Sequence, residues 1–189
     1  LYYLKTLPRF YEHFSSANTG DKYPSEALAD MPIQKNLSMY KWSHYFDIYV
    51  MFLWKYRNNR KSPLRVLEIG IADGGSLLFW QDFFGRSAQI LGIDIDPKCM
   101  ELPVGSCEIR IGDQSDGLFL QKAIKDFGGV DIVIDDGSHI NLHVISSFKT
   151  LFPLMNQGGT YLIEDVAASY WPGIYKGGLN RRGTTMTFF

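Results

Sequence analysis

From Pro63 onward the chain alternates short apolar runs with segments of helical period. The runs "RVLEIG" (65–70), "QILGIDID" (89–96), "CEIRIGD" (107–113), "VDIVIDD" (130–136) and "GTYLIED" (159–165) read as five strands. Between them, "GSLLFWQDFF" (75–84), "LFLQKAIKDF" (118–127) and "NLHVISSFKTLF" (141–152) read as helices. Near-continuous Val, Ile and Leu suit strands covered on both faces, and strand–helix alternation produces right-handed parallel crossovers. The pattern therefore predicts an α/β fold built on a doubly wound, mostly parallel sheet. Ligands of such sheets sit beyond the carboxyl ends of the strands, so the residues closing each run are the candidates for chemistry.

Before Pro63 the texture is helical. Leu4, Leu7, Phe10, Tyr11 and Phe14 predict a short amphipathic helix from Leu1 to about Phe14, and "SSANTGDKYPSEALADMPIQ" predicts a loop or lid. Ser43 is placed to cap a second helix with a broad apolar face of Tyr45, Phe46, Ile48, Tyr49, Phe52, Leu53 and Tyr56. Arg57-Asn58-Asn59-Arg60 and Pro63 stop it. The expected organisation is a helical N-terminal flank or lid over residues 1–62 and one catalytic domain over 63–189. The chain begins without Met and ends in "TTMTFF", so both ends are expected to cut through a longer protein. The aromatic segments "LYYLKTLPRFYEHF" and "HYFDIYVMFLW" are candidates for a lid or for homo-oligomer contacts.

Composition narrows the function. A chain of 189 residues that is 46% hydrophobic has enough apolar material for one domain with a substantial core. Its net charge of −1 and the absence of a Lys/Arg run lack the basic footprint of a nucleic-acid binder, which points to a small-molecule partner. No apolar stretch approaches a membrane span, and the first residues lack the uninterrupted apolar core of a secretory leader. Cys99 and Cys107 are too few for a disulfide scaffold and lack C-x-x-C spacing; they read as reduced and structural, which points to the cytoplasm.

The strand ends carry the chemistry. The first closes with Glu68-Ile69-Gly70-Ile71-Ala72-Asp73-Gly74-Gly75-Ser76, a loop whose glycines allow close approach of a ligand and whose following helix offers free N–H groups. Ala72 stands where a dinucleotide fingerprint needs its second Gly, which disfavours pyrophosphate. Asp94 closes the second strand and is the candidate partner for two ribose hydroxyls; Asp96, before Pro97, reads as an Asx-type turn. Asp113 and Gln114 follow the third strand, where an acid and an amide suit an adenine edge, and Asp116 reads as the cap of the next helix. The fourth strand closes with Asp135-Asp136-Gly137-Ser138-His139 and the fifth with Glu164-Asp165. Neighbouring parallel strands lie about 4.8 Å apart, so these carboxylates would repel one another unless protonated or neutralised by a cation. All-oxygen ligation without Cys favours Mg²⁺ or Mn²⁺ over Zn²⁺.

Taken together, "YKWSHYFDIY", "VLEIGIADGGSLLFWQDFF", "ILGIDIDPKC", "IGDQSD", "DIVIDDGSH", "SFKTLFP" and "GGTYLIEDVAASYWP" resemble one family. They look like the metal-dependent macrolide sugar O-methyltransferases of the mycinamicin and macrocin type, which are related to the cephalosporin-biosynthesis methyltransferases. The resemblance runs from about Lys41 to Pro172 and implies a Rossmann-like class I methyltransferase fold whose C-terminal strands are missing here. It implies S-adenosyl-L-methionine and Mg²⁺ (or Mn²⁺) as cofactors and, as acceptor, a hydroxyl of a glycoside or other polyhydroxylated metabolite, a natural-product or polysaccharide sugar. By motif, Glu68, Gly70 and Ser76 would hold the methionine moiety, Asp94 the ribose, and Asp113 with Gln114 the adenine. Asp136, Glu164 and Asp165 would hold the metal, with His139 as general base. Asp135 is placed with the cofactor-binding residues and is also the rival for the first metal ligand.

Some residues keep an alternative. Lys41, His44, Tyr45 and Tyr49 belong to a segment that in the family packs against the cofactor pocket, while the aromatics also suit a core. His143 is expected to face outward or pack on its helix, and Tyr170 and Trp171 either line the acceptor pocket or pack. The competing functions are an S-adenosylmethionine-binding module without catalysis and a nucleotide-dependent Rossmann oxidoreductase.

Overall fold

The computed structural model describes residues 37–42, 44–57 and 63–189. The helix expected over Leu1 to Phe14, the loop after it and the capping role of Ser43 lie outside the described residues. Helix α1 (Tyr45–Leu53) runs into a 3-10 turn at Trp54–Tyr56. Then follow β1 (Arg65–Ile69), α2 (Gly75–Phe84), β2 (Gln89–Asp94), β3 (Glu108–Ile111), α3 (Gly117–Phe127), β4 (Val130–Asp135), α4 (Asn141–Leu151) and β5 (Met155–Ile163). Short 3-10 turns lead to a final helical turn, α5 (Thr185–Phe188).

The five strands form one sheet of order β3-β2-β1-β4-β5, and every pairing is parallel. The periodicity also predicts the helices to within a residue or two, because each has a turn or cap signal at its start. Asp116, for example, accepts from the backbone N–H groups of Leu118 and Phe119 at the head of α3. β5 starts earlier than "GTYLIED" suggests. Met155 pairs with Val130, then the register shifts before Ile132 meets Thr160, and Gly158 takes a left-handed φ of +80° in the irregular stretch.

Both faces of the sheet are buried, and the two sets of side chains alternate along the strands. On one face Val66, Ile90, Ile132 and Ile134 pack with Phe46, Tyr49 and Leu53 of α1 and Leu77, Trp80 and Phe83 of α2. On the other, Leu67, Ile69, Leu91, Ile93 and Val133 pack with Leu120, Ala123 and Ile124 of α3 and Leu151 of α4. The described part of the N-terminal flank is thus built into the core. Aromatic edge-to-face contacts fix it there: the Tyr49 and Trp80 rings lie 4.9 Å apart at 75°, and Phe46 and Phe79 5.5 Å apart at 79°.

Past β5 the chain is held by a residue that periodicity marks only as a helix start. Asn141, 2% exposed, donates its amide to the Tyr175 carbonyl and accepts from the Ser169 hydroxyl and the Thr185 N–H. Asn141→Ala leaves these three partners, two of them buried, unpaired and is expected to cost about 2–3 kcal/mol, read as a lower urea midpoint with an unchanged slope.

Candidate active site

Strand register places the site. Asp135 pairs with Ile69 on β1 and with Ile163 on β5, so the next residue of each chain, Gly70, Asp136 and Glu164, leaves the sheet side by side. Alternation then sorts the side chains. Glu68, Asp136 and Glu164 emerge on the face of α1 and α2, where Lys41 and Tyr49 reach them. Asp135 points to the opposite face, toward α4. A Cβ at Gly70, whose φ is +82°, would run into the Asp136 carbonyl, so only glycine lets the ends of β1 and β4 approach this closely.

The two adjacent aspartates are consequently different groups. Asp135 is 1% exposed and accepts from Gln114 Nε2 at 3.0 Å, Ser147 Oγ at 2.6 Å and Tyr161 Oη at 3.1 Å. Burial pushes its carboxyl above the ordinary range, and those three donors pull the other way. It does not line the cavity described below. Asp136 does, and turns Oδ2 to Lys41 Nζ at 2.7 Å and Oδ1 toward His139 Nε2 at 3.9 Å.

Asp165 brings in the fifth strand end: its Oδ2 lies 3.7 Å from His139 Nε2, and its Oδ1 accepts from Tyr45 Oη at 2.7 Å. Ligating atoms of Asp136, His139 and Asp165 lie within 4.8 Å of one another. Asp165 and His139 hold left-handed φ values of 51° and 56°, uncommon for non-glycine residues and a frequent mark of functional sites. Glu164 sits deeper, 6% exposed, accepting from Tyr49 Oη at 2.6 Å on Oε1 and from Lys41 Nζ at 3.0 Å on Oε2. Burial first, then the charge of Asp136, push its carboxyl up to about 7, against the pull of Lys41. Burial likewise raises Asp136.

A cavity of about 570 Å³ opens beside this corner, within the range of cofactor sites. Gly70, Ser76, Asp94, Asp113 and Gln114 of the expected cofactor residues line it, as do Asp136, His139 and Asp165. Glu68 stands behind the wall, 0% exposed, holding Ser76 Oγ at 2.6 Å. Asp94 clamps the loop: its Oδ2 accepts from the N–H groups of Ile71 and Ala72, and its Oδ1 from Asp96 N–H. Most of its acceptor capacity is thus used by backbone. Gln114 is also committed, donating to Asp135 and accepting from Ser138 N–H at 2.6 Å. Asp96 caps the turn after β2 by accepting from Lys98 N–H.

Ser38 and Met39 escaped the motif reading. With Tyr40 and Lys41, which belong to the segment expected at the cofactor pocket, they line the cavity from the N-terminal side, and Gly75 N–H donates to the Ser38 carbonyl. A Cβ at Gly75 would strike that carbonyl, so the second glycine of the doublet was the signal for a chain crossing there. His143 faces the cavity and its Nδ1 lies 3.1 Å from Ser138 Oγ. Tyr170 and Trp171 are about half exposed and do not line it.

The strand order, the Gly loop at the first strand end and the acidic corner at the fourth and fifth define a class I methyltransferase fold of Rossmann type. The chain's homologues are sugar O-methyltransferases. The mycinamicin VI 2''-O-methyltransferase of Micromonospora griseorubida is 47% identical over 127 residues, 62% of this chain and 31% of that protein. The 8-demethyl-8-(2-methoxy-alpha-L-rhamnosyl)-tetracenomycin-C 3'-O-methyltransferase of Streptomyces olivaceus is 37% identical over 158 residues, 78% of this chain and 39% of that protein. Among solved structures, the MycE methyltransferase of the mycinamycin pathway, in complex with Mg, SAH and mycinamycin VI, superposes with a TM-score of 0.73 at 36% identity, covering 88% of this chain and 46% of that one. The chain thus spans about a third of the length of the curated relatives it matches. No family model matches it.

Proposed function

We propose that this chain carries the cofactor site and the acidic corner of an S-adenosylmethionine- and Mg²⁺-dependent O-methyltransferase acting on a sugar hydroxyl of a natural-product glycoside. The convergence of Asp136, His139 and Asp165 at the edge of a cavity lined by the Gly70 loop carries the reading. It is supported by relatives named for sugar O-methylation and by a similar structure in complex with Mg and SAH.

The donor set fits a hard divalent cation. Glu68, Asp136 and Glu164 place three carboxylates around one ammonium, Asp165 adds a fourth beside His139, and the described cysteines are elsewhere. Asp136, Glu164 and Asp165 would hold the ion, which supplies Lewis acidity that orients the acceptor hydroxyl and lowers its pKa. In the transfer the methyl–sulfur bond breaks as the hydroxyl oxygen forms the new bond to carbon, and the electron pair stays on sulfur. His139 Nε2 takes the hydroxyl proton. The Gly70–Ser76 loop and Asp94 hold the cofactor side of the cavity, while Ser38 to Lys41 line the other. Ala72, at φ 43°, stands where a dinucleotide fingerprint has its second Gly, which disfavours a pyrophosphate ligand.

The free thiols of Cys99 and Cys107 support a reducing, cytoplasmic setting. Among the described residues no helix is long and apolar enough to cross a membrane. Chelation tests the metal. With EDTA present, methylation of macrolide or rhamnosyl glycosides, read as a gain of one methyl by mass spectrometry, is expected to fall by about two orders of magnitude or more. S-adenosylhomocysteine binding by calorimetry should persist. Undiminished turnover in EDTA removes the cation from the scheme.

A further inference from the structure

One ammonium lies at the centre of the acidic corner. Lys41 Nζ donates to Glu68 Oε1 at 3.0 Å, Asp136 Oδ2 at 2.7 Å and Glu164 Oε2 at 3.0 Å, and its side chain is 2% exposed. Those three contacts use the donor capacity of an ammonium completely. Burial opposes the charge, and the carboxylates of Glu68, Glu164 and Asp136 outweigh it, so Lys41 is held protonated above the ordinary lysine range. Two further donors enter from the following helix: Tyr45 to Asp165 and Tyr49 to Glu164. Lys41 precedes α1, and Tyr45 and Tyr49 lie one turn apart on it; Lys41 on Asp136 and Tyr45 on Asp165 leave the other oxygens of those acids turned to His139.

The same ammonium joins the two halves of the site. Glu68 holds Ser76 on the cofactor side with its other oxygen, while Asp136 and Glu164 belong to the metal side.

We propose that Lys41 is the positioning counter-ion of the corner: it fixes Asp136 and Glu164 by one oxygen each, ties them to Glu68 beneath the cofactor loop, and sets how tightly the corner binds a divalent cation. This rests on the cation reading above. The three acids Glu68, Asp136 and Glu164 share this ammonium, and removing it leaves them without that counter-charge. A divalent ion then becomes the replacement charge.

Three proteins decide it: the wild type, Lys41→Met, and the double variant Lys41→Met/Glu68→Gln, which restores the wild-type sum of charges and keeps the test alive if the single variant does not fold. Mg²⁺ binding is measured by calorimetry, and thermal midpoints are measured with and without Mg²⁺. Both variants are expected to bind Mg²⁺ about tenfold more tightly than the wild type and to gain more in midpoint on its addition. Without Mg²⁺ the single variant is expected to melt below the wild type. A lysine that only packed would change the midpoint and leave the Mg²⁺ constant alone. Equal or weaker Mg²⁺ binding by the variants, in a wild type that does bind it, overturns the role of Lys41 and leaves the cation reading standing. Absence of Mg²⁺ binding in all three removes the cation reading, and this proposal with it.

Discussion

His139→Ala is expected to lower methyl transfer by about 10²–10⁴-fold while S-adenosylhomocysteine and Mg²⁺ binding stay within a few-fold of wild type. The imidazole sits on the Gly137-Ser138-His139 turn after β4, with Nε2 3.9 Å from Asp136 and 3.7 Å from Asp165. The ring reaches that position only because residue 139 adopts a left-handed φ of 56°, a conformation that costs a non-glycine residue of order 1 kcal/mol. Its edge is therefore directed at the corner where an acceptor hydroxyl would lie. Two roles are geometrically open to it, base and ligand, and the variant separates them. A base leaves cation affinity intact and removes turnover. If Mg²⁺ affinity falls together with turnover, His139 belongs with Asp136 and Asp165 as a ligand and the proton goes elsewhere.

The second large effect distinguishes the two adjacent aspartates. Asp136→Asn is expected to abolish the Mg²⁺ response and methyl transfer while the protein remains folded. Asp136 lies at the cavity, and its charge is one of several in mutual repulsion. Asp135→Ala is expected to cost about 3 kcal/mol or more in stability, because Gln114, Ser147 and Tyr161 each lose an acceptor inside the fold. Urea unfolding and Mg²⁺ calorimetry on both variants give the comparison. The opposite outcome, a stable Asp135 variant that no longer binds Mg²⁺, would exchange the two assignments.

Lys41 links the Gly loop to the acidic corner. The loop follows β1, the corner lies at the ends of β4 and β5, and those strands are neighbours. Any charge buried between them acts on both, and Glu68, Asp136 and Glu164 are all within hydrogen-bond reach of the same nitrogen. The N-terminal segment thus reaches the acidic corner through Lys41, Tyr45 and Tyr49, although its apolar pattern reads mainly as core.

The amino-acid sequence by itself determined the element order, the parallel sheet and the row of strand ends where chemistry gathers, because these follow from local periodicity, turn residues and the burial of both sheet faces. The Gly loop, Asp94, Asp113, Asp136, His139 and Asp165 were legible for the same reason: each lies directly after an apolar run and lines one cavity. Which neighbour of a pair faces that cavity was a different matter. Asp135 and Asp136 are one residue apart, and only the placement of α1 and α2 on one face and α3 and α4 on the other decides that the first is sealed against Ser147 and Tyr161 and the second meets Lys41. Glu68 is drawn behind the wall and Gln114 is tied to Asp135 on the same grounds, since their partners come from chain segments 27 and 21 positions away. Periodicity is a local property, whereas a buried ammonium shared by three carboxylates depends on four segments meeting at one point, and only the packed sheet brings them there.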